Sequence, residues 1–166
     1  MSDRIVVGVD ASPASGQALR WALREAAVHR AQVVAVAAWQ VPDASFNVYT
    51  PAAYDELRAA VEQEHRDAAV AAVDAAYSLE PATDGVRCTV HTVEGPAADV
   101  LIAESNDADL VVVGARGLGA FKRLVLGSTS NVVLARAHCP VVVVHAGPHD
   151  VAVVEEATLR AEVAAL

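Results

Sequence analysis

Residues 4–30 read RIVVGVDASPASGQALRWALREAAVHR, and they hold the key to the fold. The first seven form a nearly unbroken β-branched run ending in Gly8 and Asp10, the pattern of a strand buried on both faces. In the next twenty, Ala18, Leu19, Ala22, Leu23, Ala26 and Ala27 recur at helical spacing, while Arg20, Arg24, Glu25 and Arg30 take the other face. Ser12 or Ser15 can cap the first turn, and Pro13 is tolerated there because its missing N–H would have had no partner. A strand that passes through a short turn into a helix is the repeating unit of a parallel sheet.

Outward from that unit the alternation continues. Residues 33–39 (VVAVAAW) read as a second strand, and residues 40–51, with Pro42, Asn47 and Thr50, as a loop of about a dozen residues. Residues 52–79 predict a long Ala-rich helix, with Leu57, Val61, Ala68, Ala72 and Ala76 near one stripe and Glu56, Glu62, Glu64, Arg66 and Asp67 mostly away from it. Residues 86–93 alternate, Val86, Cys88, Val90 and Thr92 against Arg87, Thr89 and His91, which marks a less buried edge strand. Pro96 opens a short helix with Asp99 in its first turn. Residues 109–113 deliver a strand to Gly114, Ser128 caps a further helix, and residues 139–144 supply a final strand. Five strands alternating with four helices give an α/β fold, an open and mainly parallel sheet with helices on both faces and right-handed crossovers. Residues 1–148 form a single domain, and residues 149–166, beyond the break at Ala146, Gly147 and Pro148, are a helical appendage.

Composition narrows the function. A chain of 166 residues, 54% hydrophobic, builds one substantial core. Its net charge of -9, from 12 basic and 21 acidic residues, would repel a polyanion, which argues against nucleic acid as a partner. No apolar segment approaches the ~20 residues needed to span a bilayer, and no signal peptide is indicated, so neither membrane nor export is expected. Two cysteines, Cys88 and Cys139, make no disulfide framework, and a reducing, cytoplasmic setting fits them.

The informative segment is Gly114-Ala115-Arg116-Gly117-Leu118-Gly119, followed by Gly127-Ser128-Thr129-Ser130. A phosphate needs convergent backbone N–H groups, close approach without a Cβ in the way, and a helix N-terminus with hydroxyls. This segment offers all three. Between Leu110 and His145 there is no acidic residue, while Arg116, Lys122, Arg123 and Arg136 are present. The P-loop string GxxxxGK is missing, and the first strand is followed by GVDASPAS rather than the dinucleotide GxGxxG, so NAD is not expected.

Gly114, Gly117, Gly127 and Ser128 match the spacing of a glycine, two residues, a second glycine, nine residues and a glycine-serine pair, and the segment thereby resembles the nucleotide-binding signature of the universal stress protein family. The opening IVVGVDAS, ALRWAL, GPAADVLIAES, ADLVVVGARG and the closing CPVVVVH extend the resemblance over nearly the whole chain up to Pro148. It implies a Rossmann-like sheet in the order 3-2-1-4-5 and an ATP held across the strand ends. By that resemblance Asp10 contacts the ribose, Gly8 and Val9 line the approach, and the backbone at Ala38 meets the adenine edge. Gly114 faces the sugar, Arg116 and Gly117 meet the phosphates, and Gly127, Ser128, Thr129 and Ser130 close around them. A histidine often stands in the family where this chain has Ala37.

Catalytic constellations are weaker. Asp107 and Asp109 precede a strand, where capping explains them; the histidines share no spacing; and Ser128, Thr129 and Ser130 have no general base beside them in sequence. No metal site from protein ligands is read, and Mg2+ would be held mainly by nucleotide phosphates, with Asp10 nearby. The expectation is a nucleotide-binding stress or signalling module that pairs as a homodimer through the apolar run Val141–Val144. The rival readings are a slow ATP hydrolase and a homodimeric interaction protein without nucleotide.

Overall fold

The computed structural model describes residues 3–41, 50–116 and 126–145. Five parallel strands form one sheet: β1 (Arg4–Gly8), β2 (Gln32–Trp39), β3 (Cys88–Glu94), β4 (Leu110–Gly114) and β5 (Val141–Val144), in the order β3-β2-β1-β4-β5. The helices α1 (Pro13–His29), α2 (Pro51–Leu79), α3 (Ala97–Glu104) and α4 (Ser128–Arg136) connect them. Val6 of the central strand sits opposite Val34 on one side and Val111 on the other, so the β-branched runs are paired along both edges as well as buried on both faces.

Side-chain alternation divides the core in two. Ile5, Val7 and Val9 pack with Leu19, Ala22, Leu23 and Ala26 of α1 and with Ala69 and Val73 of α2. Val6, Val34, Val111 and Val113 pack with Val100 and Leu101 of α3 and Val133 of α4. Alanines on the buried face of α1 let the helix lie close to the sheet, so few bulky side chains are needed to exclude water.

The cap of α1 is Ser12, whose side chain accepts from the Ser15 N–H, with Pro13 as the first helical residue. At the other end Arg30 takes a left-handed conformation, φ 56°, and its N–H bonds to the Ala26 carbonyl. The buried stripe of α2 is Ala69, Val73 and Ala76, not the one expected from Leu57, Val61 and Ala68; Ala68 is exposed, Leu57 and Val61 are half-buried, and Ala72 packs only partly against the core. The reason is length. A helix of 29 residues runs about 43 Å, far beyond the edge strand it covers, so only its C-terminal half meets the core. Glu62 and Arg66, expected to face away, instead reach the sheet edge: Arg66 Nη2 donates to Thr92 Oγ1 at 2.7 Å, and that hydroxyl donates to Glu62 Oε1 at 3.1 Å. β3 is an edge strand, half-buried and exposed in alternation, as its sequence predicts.

Candidate functional site

The site grows from the C-terminal end of β1. Gly8 lies so close to α3 that a Cβ would stand 3.0 Å from Leu101 Cδ1, and Val9 is buried with its N–H bonded to the Val36 carbonyl at 2.9 Å. Asp10 is exposed and shapes the turn that follows: its Oδ1 accepts from the Ser12 N–H at 3.1 Å and from Ser12 Oγ at 2.6 Å. Its own N–H donates to Ser15 Oγ at 3.3 Å, and that hydroxyl donates to the Ser12 carbonyl at 3.0 Å. Between them Ala11 is held at φ 60°, a conformation that L-residues other than glycine adopt rarely. The two serines, both buried, fix a turn that the backbone alone would resist.

β4 delivers the second part. A Cβ on Gly114 would lie 2.7 Å from the Ala14 carbonyl carbon, so glycine is required for the end of β4 to rest on the first turn of α1. The next residues are tied down at once: Ala115 N–H bonds to Val144 O at 2.7 Å, and Gly127 N–H bonds to Ala115 O at 2.7 Å. The Arg116 carbonyl lies 3.5 Å from Ser12 Oγ, which joins the turns after β1 and β4. Gly117 lies outside the described residues.

Gly127 returns the chain to the C-terminal end of β4 and is itself the cap of α4, with no side-chain hydrogen bond. The expectation that Ser128 caps this helix is therefore corrected: Ser128 is its first helical residue. The reason is the Gly127 carbonyl, which accepts from the Asn131 N–H at 3.0 Å and so closes the first turn one residue earlier. The amides of Ser128, Thr129 and Ser130 have no acceptor among the described residues. Ser128 is exposed, whereas Ser130 is buried with its hydroxyl donating to the Gly114 carbonyl at 2.6 Å. Ser130 thus offers a backbone N–H rather than a hydroxyl.

β2 supplies an edge that is open by geometry. In a parallel ladder a residue turns its N–H and C=O toward the same neighbouring strand, and the direction alternates along the chain. Val36 faces β1, since its carbonyl accepts from Val9. Ala38, two residues on, faces the same way, but β1 has ended, and among the described residues nothing pairs with it on that side. One donor and one acceptor are left side by side.

The structure thus brings Gly8, Val9, Asp10, Ala38, Gly114, Arg116, Gly127, Ser128, Thr129 and Ser130 to one end of the sheet. Sequence reading missed the Ser12–Ser15 relay and the left-handed Ala11; Asp-x-Ser at a strand end was the signal that could have shown them. It also missed the surroundings of Trp39, whose indole N–H is buried without a partner among the described residues while the Arg58 guanidinium, paired with Glu94, sits 5.7 Å over the ring. Burial pushes the Cys88 thiol up to about 11 and raises that of Cys139, so neither is a ready nucleophile. Asp109 Oδ2 accepts from the Arg4 N–H at 2.8 Å, which ties β4 to β1 at the far end of the sheet. Among the described residues no group of three His, Cys, Asp or Glu side chains could hold a metal ion, and no helix is long and apolar enough to cross a membrane.

These features define a class: an open, doubly wound α/β domain with its polar backbone groups gathered where the strand order turns outward from β1. Residues 1–145 match the Universal stress protein family, and the chain belongs to that family. It is 38% identical over 147 residues to universal stress protein Rv2623 of Mycobacterium tuberculosis, and 36% identical over 149 residues to a universal stress protein of Mycolicibacterium smegmatis. Each match covers 85% of this chain and 47% of the relative, so the chain spans about half the length of either. Among solved structures, UspA from Lactobacillus plantarum superposes with a TM-score of 0.63 at 24% identity, over 86% of this chain and 97% of that one. A universal stress protein in complex with cAMP superposes with a TM-score of 0.53 at 28% identity, over 88% and 98%. An Arabidopsis thaliana family member with AMP bound gives 0.58 at 19% identity, over 89% and 94%.

Proposed function

We propose that the C-terminal end of the sheet binds an adenine nucleotide, ATP in particular, and that the protein serves as a stress-response or signalling module whose conformation or assembly follows nucleotide occupancy. One observation carries this reading: the unpaired amides of Ser128, Thr129 and Ser130 open beside Gly114 and Arg116, within a stretch that has no acidic residue. The universal stress protein solved with cAMP adds support, because it shares the fold at 28% identity.

In this reading Asp10 holds the ribose hydroxyls, with Gly8 and Val9 lining the approach. The open N–H and C=O of Ala38 meet the adenine edge, and Gly114 leaves room for the sugar. Arg116, Gly117, Gly127, Ser128, Thr129 and the Ser130 amide surround the phosphates, and Mg2+ is carried in by phosphate oxygens with Asp10 close by. Residues 1–148 form the binding unit, residues 149–166, which lie outside the described residues, are read from their sequence as a helical appendage, and two copies join through Val141–Val144 in the cytoplasm. β5 is a sheet edge of four valines, each only half-buried, which suits pairing with its twin.

Titration calorimetry with ATP, ADP and adenosine tests the assignment. Ser128→Ala should weaken ATP about tenfold and leave adenosine nearly unchanged, Gly117→Val should weaken ATP further, and Asp10→Ala should weaken both ligands together. If Ser128→Ala and Gly117→Val bind ATP like the parent, the phosphate assignment fails. Phosphate release followed in the same samples separates a binder from a hydrolase, and a monomeric mass at micromolar concentration removes the dimer.

A further inference from the structure

The opposite end of the sheet holds a cavity. It has a volume of about 590 Å³ and lies between the C-terminus of α1, the start of β2 and the segment leading into β3; its lining includes Ala27, Gln32, Ala82 and Val86 together with Arg30 and Arg87, both exposed. That volume falls in the range of small-molecule sites.

Its arginines are unusual within this chain. Of the described arginines, Arg4, Arg20, Arg24, Arg58, Arg66 and Arg136 each have a carboxylate within 3.9 Å. The remaining three are Arg116, already placed at the nucleotide end, and the pair Arg30 and Arg87. Neither member of that pair makes a side-chain hydrogen bond or ion pair among the described residues, in a chain where acids outnumber bases 21 to 12. Of the acids on the adjoining segments, Glu80 is held by Arg20 and Arg24, and Asp3 and Asp84 pair with neither arginine. The backbone fixes the pair near one another: the Arg87 carbonyl accepts from the Val33 N–H at 2.8 Å, and Arg30 stands three residues before Val33.

Arg30 also occupies a left-handed position, φ 56°, where glycine or asparagine would relieve strain. The C-terminal carbonyls of α1 favour a positive charge there, whereas Arg87 stands exposed on a different segment. Two guanidinium forks beside a wall of alanine and valine side chains match an oxyanion attached to a small apolar body.

We propose that this cavity binds a small organic anion, with Arg30 and Arg87 gripping its carboxylate or phosphate group and the accessible side chains of Ala27, Ala82 and Val86 taking its apolar part. The site is separate from the nucleotide end and does not depend on it. Octanoate and phenyl phosphate are the two probes, titrated into the full chain while the Gln32 and Val86 amide resonances are followed. At least one probe should shift those resonances saturably, and the preference between the two identifies the oxyanion. Arg30→Asn and Arg87→Gln should each weaken that probe about tenfold, and the double variant should lose it. Because Arg87 makes no internal bond, Arg87→Gln should melt at the parent's temperature, while Arg30→Asn should melt at or above it, since asparagine suits the left-handed position. Arg87→Lys, which keeps the charge and loses the fork, should fall between parent and Arg87→Gln. No shift with either probe, or a shift that survives in the double variant, overturns the proposal. So does a drop in melting temperature in Arg87→Gln and Arg87→Lys alike, which would make the arginine structural.

Discussion

The two ends of the sheet are closed by different chemistry. At the N-terminal end charged side chains staple elements together: Arg4 pairs with Glu104 across β1 and α3, and Glu80 receives both Arg20 and Arg24 of α1. At the C-terminal end, beside the Arg58–Glu94 pair where β3 ends, the ties among the site residues are short and run through hydroxyls and backbone, Ser130 to Gly114, Ala115 to Val144 and Ser12 to Asp10, with glycine providing the close approach. Long ion-paired side chains tolerate small shifts of backbone. Contacts between glycine carbonyls, serine hydroxyls and amides do not, so the ligand end is held to a narrower geometry by weaker individual bonds.

The sharpest way to break this contrast is Gly114→Val. Its Cβ would overlap the Ala14 backbone, which cannot swing aside as a side chain can, so a loss of about 3 kcal/mol in urea unfolding is expected, together with loss of nucleotide binding. Gly16→Ala is the matching control: nothing lies within 4 Å of the new methyl group, and a mid-helix alanine should add about 0.5–1 kcal/mol.

Ser12→Ala comes next. It removes the α1 cap and the partner of Asp10 in one change, with an expected cost of about 1–2 kcal/mol and weaker binding of ATP and adenosine alike. Ala11→Gly acts in the opposite sense, because it relieves the left-handed φ and should raise stability by about 1 kcal/mol. A loss of stability there would mean that the turn is not strained.

The N-terminal end gives the smallest effect and a pH signature. Burial raises the Glu80 carboxyl, but hydrogen bonds and charge from Arg20 and Arg24 outweigh it and leave it below its ordinary 4.5. A depressed carboxylate stabilises the fold above the unfolded-state value and loses that contribution as the pH falls through the folded one. Glu80→Gln should therefore cost on the order of 0.5–1 kcal/mol near neutrality, with the difference from the parent shrinking below about pH 4. Nucleotide affinity should not change. A change in affinity would show that the two ends are coupled.

Sequence reading recovered the order of the strands' types, the edge character of β3 and the gathering of the glycine-serine segment, because buried β-branched runs and strand-end glycines are local signals. It misjudged the buried face of α2, where the choice between Ala68 and Ala69 depends on how far a long helix overhangs its strand. Alanine is too small for periodicity to settle that. It also assigned the α4 cap to Ser128, since a serine before an apolar helical run normally caps; here the adjoining glycine takes the position because the chain must first reach the Ala115 carbonyl. The open edge at Ala38 lies beyond any reading of side chains, for it follows from where a neighbouring strand stops.

The strand order also sets a timetable for synthesis. β1 lies in the middle of the sheet yet is the first of the five strands to emerge, and the contact of Arg4 with Asp109 spans 105 residues. β2 and β3 can join β1 while the ribosome is still at work, but the opposite edge of β1, Ile5 to Val7, waits for β4. At typical elongation rates that interval is on the order of 5–20 s. For that time an edge of three consecutive β-branched residues is bare, so the newborn chain is open to wrong pairing there until β4 arrives.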